Sequence, residues 1–262
     1  RVIDSADGSN APISPQRNRI LLLGILLGLA VPAVTCLMIL FLDTRVHSRK
    51  DIEGKVSIPF LGEIPIDKES SKQKLSMETA QHSVLDRDDV VSEAFHILRT
   101  NMAFMSKKAN PLKVIMLTSF NEGAGKTFIS RNLALALVRA KKRVILLDLD
   151  IRKGTLSRSF HLQKKGMTDY LADTSLSADD VIQRGESFDA VSSGTTAPNP
   201  AELLMDERLD ELVSELRLRY DYIIADSVPV GIIADAAITN RIADLTIFVA
   251  RAGKLDRRQL PD

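Results

Sequence analysis

Residues 114–140 read VIMLTSFNEGAGKTFISRNLALALVRA, and the way this stretch is read decides the fold. VIMLTS is an apolar run of strand length, NEGAGK a glycine-containing loop, and TFISRNLALALVRA an amphipathic helical pattern. A helix that starts on such a loop points its free backbone N–H groups at whatever the loop holds, which suits a phosphate. Against the pattern G-x-x-x-x-G-K-[ST], Gly125, Lys126 and Thr127 are in place, but Phe120 stands where the first glycine belongs. Gly123 and Gly125 allow successive N–H groups to turn inward, Lys126 offers a charge to the β- and γ-phosphates, and Thr127 offers a hydroxyl to magnesium. Phe120 removes none of those donors. The bland alternative is a glycine-rich turn that only starts a helix.

Outward from this unit, further apolar runs follow at strand length: RVILLDLD at 143–150, a weaker FDAVSSG at 188–194, YDYIIADS at 220–227 and LTIFVAR at 245–251. Runs apolar on both faces are what a parallel sheet covered by helices requires, so the fold class is α/β. Ligands of such sheets sit at the carboxyl ends of the strands. At those ends stand Asp148 and Asp150, two apart and so on one side of the chain, and Asp226. A lone strand-end aspartate is most often a turn former. Three of them beside Gly-Lys-Thr point to a metal–nucleotide site, with ATP and Mg2+ as the expected ligands.

Residues 20–42, ILLLGILLGLAVPAVTCLMILFL, carry no charge and are long enough as a helix to cross a hydrocarbon core of about 30 Å. They read as a transmembrane helix rather than a signal sequence, whose apolar region is shorter, or a core helix, which is rarely apolar all round. Arg45, Arg49, Lys50 and Lys55 follow the span and Arg17 and Arg19 precede it, which places the C-terminal side in the cytoplasm. The expected organisation is an extracytoplasmic segment at 1–19, the span at 20–42, a juxtamembrane, cytoplasmic linker at 43–85 and a nucleotide-binding domain at 86–262. Within that domain Val91, Phe95, Leu98 and Met102 recur at helical spacing. The chain begins with Arg, as expected of a processed chain or a piece of a longer one. Its net charge is +1, from 35 basic and 34 acidic residues, which gives no footing for nucleic acid as a partner. Its single cysteine, Cys36, excludes an intramolecular disulfide.

The stretches VILLDLDIRKGTLS, YDYIIADSVPV, APNPAELL at 197–204, SEAFHILRTN at 92–101 and FLGEIP at 60–65, with the preceding span, resemble the bacterial tyrosine kinases of capsule and exopolysaccharide export. These are relatives of the MinD/ParA-type ATPases, and a missing first loop glycine is common among them. The resemblance runs from the span onward. It implies a phosphate-loop, P-loop NTPase-like domain that transfers phosphate from ATP to tyrosine, on a protein of the bacterial inner membrane. Its nucleotide would be held by Gly123, Ala124, Gly125, Lys126, Thr127, Phe128 and Arg152. Magnesium would be held by Thr127 and Asp226, with Asp148 and Asp150 serving the metal and the incoming tyrosine. The catalytic set is then Lys126, Asp148 and Asp150, with Asp148 the acceptor of the phenol proton.

The same resemblance implies a ring-like homo-oligomer built through a Glu-x-x-Arg-x-x-Arg helix, here Glu93, His96 and Arg99, with His in the middle position. Other implied partners are the polysaccharide export and polymerisation machinery and a tyrosine phosphatase. The DTPP that follows the family's third aspartate is DSVP here. The domain is expected to be C-terminally incomplete, with a tyrosine-rich tail beyond Asp262. Of Tyr170, Tyr220 and Tyr222, only Tyr170 is expected to be exposed enough to accept phosphate, and at least one of the others to pack against the sheet. A non-enzymatic, ATP-dependent assembly switch uses the same loop and is the competing reading.

Overall fold

The structure is a computed structural model that describes residues 17–53, 55–66, 90–106, 111–230 and 238–260. The extracytoplasmic segment expected at 1–19 falls mostly outside these residues, as does the linker at 67–85. The chain divides into two compact units, 1–44 and 45–262.

Among the described residues the first unit holds one helix, α1 (Arg17–Leu42), with apolar side chains exposed on all sides. Residues 18–42 are, among the described residues, the one helix long and apolar enough to cross a membrane. Thr35 donates to the carbonyl of Val31 one residue before Pro32.

In the second unit the juxtamembrane segment is folded onto the domain. A short helix, α2 (Lys50–Glu53), follows Val46, which is 3 % exposed. The Val46 amide donates to Leu255 O and its carbonyl accepts from Gly253 N, each at 2.8 Å. Leu61 and Ile64 pack on the core, and Asn101 donates to Leu61 O. Composition alone suggested a flexible connector here; scattered apolar residues, too few to make a period, do the anchoring.

Then come α3 (Val90–Met105), β1 (Val114–Thr118), α4 (Lys126–Arg139), β2 (Val144–Asp148), α5 (Thr155–Ser159), α6 (Met167–Ala172), β3 (Ile182–Gln183), β4 (Asp189–Val191), α7 (Pro200–Met205), α8 (Glu207–Arg219), β5 (Tyr222–Asp226) and β6 (Leu245–Phe248). The six strands form one sheet in the order β3-β4-β2-β5-β1-β6. All neighbours pair parallel except β3 with β4. That antiparallel edge strand has two residues, too short to leave a periodic signal.

Alternation along the strands divides the core in two. Ile115, Leu117, Leu146 and Ile224 face α3 and α4, while Val114, Met116, Ile145, Leu147, Ile223 and Ala225 face α6 and α8. Val91, Phe95, Leu98 and Met102 are all buried, as their spacing requires. Each fully buried side chain of this size contributes about 1.5–3 kcal/mol. α8 is capped by Asp206, whose side chain accepts from Arg208 N, and carries Glu207 and Asp210 in its first turn and Arg217 and Arg219 in its last, matching the helix dipole. The effect of this order is to bring the carboxyl ends of β4, β2, β5, β1 and β6 side by side along one edge.

Candidate phosphate and acceptor site

The loop after β1 carries Gly123 at φ 67° and Gly125 at φ 102°, left-handed values that a side chain resists, and α4 starts directly from Gly125. With no side chain capping α4, its first N–H groups stay available to an anion. Lys126 Nζ donates to Ser119 Oγ at 3.2 Å, folding the side chain back over the loop. Burial lowers the Lys126 ammonium from its ordinary value against the pull of Asp226, Asp150 and Glu122. Anionic phosphate would restore its full charge.

Thr127 Oγ1 donates to Asp226 Oδ2 at 2.5 Å, joining α4 to the end of β5. Asp226 is buried, and its Oδ1 has no hydrogen-bond partner within the protein. Burial, with the like charge of Asp148 adding to it, raises Asp226 to about 7, although the Thr127 bond opposes the rise. An orphaned buried carboxylate oxygen beside a threonine hydroxyl is a fit for a hard cation with oxygen ligands.

One strand over, Asp148 pairs in register with Asp226. It is fully buried, and its oxygens accept from Ser157 N at 2.8 Å, Ser157 Oγ at 2.5 Å and Asp150 N at 3.2 Å. Burial raises its carboxyl to about 6 against the Ser157 bonds. Asp150 is only half-buried and accepts from Lys153 N at 3.0 Å. Asp148 thus has protein donors rather than needing a cation for charge balance. Among the described residues no three Asp, Glu, His or Cys side chains form a ready-made metal cage. Gly154 explains the tight turn after this strand: a Cβ there would lie 2.4 Å from Ser193 Oγ.

Of the other expected residues, Ala124 lies in the loop and Arg152 is exposed beyond Asp150. The Phe128 ring packs 5.9 Å from that of Phe95, leaving only its backbone for a phosphate. Phe120 and Ala124 line a small opening with Arg251 and Lys254 from the loop after β6. Arg251 Nη1 donates to Gly123 O at 2.9 Å, so that loop braces the phosphate loop. Glu93 is exposed on α3, but Arg99 donates to Ala136 O at 2.8 Å, one of the last carbonyls of α4. Tyr170, expected to be exposed, is 5 % exposed, with Arg208 stacked 4.3 Å over its ring. Its place in a short helix facing the sheet core was not visible from local sequence. Ser119, Ser157 and Arg251 escaped the reading because a serine or arginine outside any motif carries no signal of its own.

A strand, a left-handed glycine loop, a lysine, and a threonine bonded to a buried strand-end aspartate define a P-loop protein of the parallel α/β type. The model of the AAA domain family matches residues 112–254, more than half of the chain. Tyrosine-protein kinase CpsD of Streptococcus pneumoniae is 36% identical over 171 residues, covering 64% of this chain and 74% of CpsD. Tyrosine-protein kinase Wzc of Salmonella typhimurium is 32% identical over 263 residues, 96% of this chain and 36% of Wzc. The chain therefore spans about a third of the length of this relative and of others like it.

Among solved structures, the kinase domain of Escherichia coli tyrosine kinase ETK superposes with a TM-score of 0.73 at 27% identity, covering 82% of this chain and 86% of that one. The BceF tyrosine kinase domain gives 0.70 at 32% identity, covering 82% and 90%. The chain belongs to the bacterial tyrosine kinase family of P-loop proteins.

Proposed function

We propose that this chain carries an ATP- and magnesium-dependent protein-tyrosine kinase, anchored in the bacterial inner membrane with its catalytic domain in the cytoplasm, that serves capsule or exopolysaccharide export. The observation that carries the reading is the cross-strand pair Asp148 and Asp226 beside the Lys126 loop: one carboxylate turned to Thr127, the other one strand away. Gly123 to Phe128 would hold the phosphates of ATP by backbone N–H groups, with Lys126 neutralising charge and Arg152 at the outer edge. Magnesium would be held by Thr127 and Asp226, with Asp150 near, and supplies charge neutralisation on the phosphates.

The acceptor phenol has an ordinary pKa of about 10. Asp148, raised to about 6 by burial, is a stronger base than an exposed aspartate yet still largely ionised at neutral pH. In the step itself the phenol oxygen forms a bond to the γ-phosphorus and the bond from that phosphorus to the β–γ bridging oxygen breaks. The electron pair leaves on ADP and the phenol proton passes to Asp148.

A Klebsiella pneumoniae relative whose name places it in the cps region supports the pathway assignment, and Glu93 on α3 is exposed, as contact between copies in a ring would require. The export machinery and a tyrosine phosphatase that resets the enzyme complete the proposed partners. Incubation with magnesium and ATP should give phosphotyrosine on a tyrosine substrate. Nucleotide binding with no phosphotyrosine under any condition would instead favour a non-enzymatic assembly switch.

A further inference from the structure

Beside Asp148, at the carboxyl ends of β2 and β4, lies an open cleft of about 570 Å³. Its rim carries Arg152, Lys153, Arg158, His161 and Lys164, and among the described residues no carboxylate lines it. Of these, Lys153 is held by Glu122 of the phosphate loop at 2.6 Å. The floor includes Ser157, whose hydroxyl donates to Asp148 and accepts from Ser193 N at 2.8 Å. One hydrogen bond therefore separates the cleft from the carboxylate that would take the acceptor proton.

The strand order separates two ligands. Phosphate donors sit on β1, with Asp226 on β5 and the bracing loop after β6, whereas the cleft sits beyond β2 on β4. Of the cleft's lining only Arg152, at its edge, is assigned to ATP, and Ser157 on the floor gives the cleft a one-bond link to the buried Asp148. Clustered cations in a concavity focus a positive potential, and arginine matches carboxylate and phosphate oxygens in a fork geometry. The volume suits a few side chains of an extended segment rather than a whole folded surface.

We propose that this cleft is the docking site for the acceptor polypeptide and selects tyrosines flanked by negative charge, carboxylate or phosphate, with Arg158 and Lys164 as the selecting residues. The proposal rests on the kinase reading of the same site and adds its substrate class. A tyrosine already phosphorylated would then help to seat the next one in the same segment.

The test uses the full chain in detergent and fluorescein-labelled peptides with one tyrosine, flanked by glutamates, by phosphotyrosine, or by glycine and serine. Anisotropy at low ionic strength should show both anionic peptides binding about tenfold or more tighter than the neutral one, a difference of about 1.4 kcal/mol. Preference for phosphotyrosine alone, or for glutamate alone, would identify which source of charge is read. The R158E/K164E double variant should abolish the preference while keeping its affinity for a fluorescent ATP analogue. R158Q/K164Q, milder at these exposed positions, should reduce it. In turnover, the variants should raise KM for the acidic peptide and leave kcat alone. Equal binding of the three peptides, or a preference that survives charge reversal, would overturn the proposal. So would charge-dependent binding to phosphatidylserine vesicles with no discrimination among peptides. A retained peptide preference in a protein that never forms phosphotyrosine would refute the kinase reading, and with it the acceptor role, and leave only charge-selective peptide binding at the cleft.

Discussion

Asp148 and Asp226 are cross-strand partners, both buried, both with carboxyls raised into the neutral range by loss of water. Between the unfolded value of 3.8 and the folded values of about 6 and about 7, the native protein binds more protons than the unfolded one. Their joint contribution to stability is therefore present below the unfolded value and lost as pH rises through the folded ones, on the order of a few kcal/mol for the pair. Without magnesium, the protein should melt at lower temperature at pH 8 than at pH 5 on their account, and Asp226→Asn should flatten part of that slope. The asparagine can still accept from Thr127 but carries no charge to desolvate. Thermal unfolding in chelator at the two pH values checks this; an unchanged slope in the variant would mean that other groups set it. Lys126→Met should in turn lower phosphotyrosine formation by a factor of 100 or more, roughly the worth of one preorganised charge contact, as read by anti-phosphotyrosine signal. The residues of this paragraph were legible because Gly-Lys-Thr and strand-end aspartates form a pattern. Ser157 was not, because its role depends on where α5 begins relative to β2.

At the scale of elements, α3, expected from the resemblance to be an assembly surface, packs on the core through Val91, Phe95, Leu98 and Met102. Arg99 spends hydrogen bonding on the end of α4, so Arg99→Ala should lower stability by about 1 kcal/mol in addition to any loss of assembly. Glu93 is exposed, and Glu93→Ala is the cleaner test: light scattering should show a shift toward monomer with an unchanged melting temperature. The juxtamembrane segment makes a second link. Val46 is clamped to Gly253 and Leu255, Asp51 pairs with Arg257 at 2.9 Å, and Arg251 in the same loop holds Gly123 O. Val46→Asp would bury an unpaired charge and should release this segment. Trypsin should then cut faster after Arg49 and Lys50, and affinity for Mg-ATP should fall; faster cutting with unaltered affinity would show that the brace on Gly123 is independent of the segment. Long periodic elements such as α3 and α4 announce themselves in sequence. The segment at 45–53 does not, because its anchors are backbone bonds, one valine and one ion pair to Arg257, far along the chain.

For the whole molecule, the apolar runs and their order sufficed to give the α/β class, while the antiparallel β3 and the burial of Tyr170 depended on long-range packing that no local window contains. That burial bears on where phosphate can go. The chain has three tyrosines. Tyr170 is covered by Arg208, and Tyr220 is 5 % exposed with its hydroxyl donating to Asp189 at 2.5 Å. Burial and the Asp189 bond raise the Tyr220 phenol well above its ordinary value, so it is a poor nucleophile as well as an inaccessible one. Tyr222 is half-buried in β5 against the core. Bringing Tyr170 or Tyr220 to Asp148 of another copy would require local unfolding of the packing that buries them. With Mg-ATP and a tyrosine peptide, mass spectrometry should therefore find phosphate on the peptide and none on Tyr170 or Tyr220. Peptide phosphorylation should also compete with no internal site as the peptide is titrated. Stoichiometric phosphate on Tyr170 or Tyr220 in protein that keeps its native melting transition would show that the fold opens far more readily than its buried contacts imply, and that acceptors are not supplied from outside it.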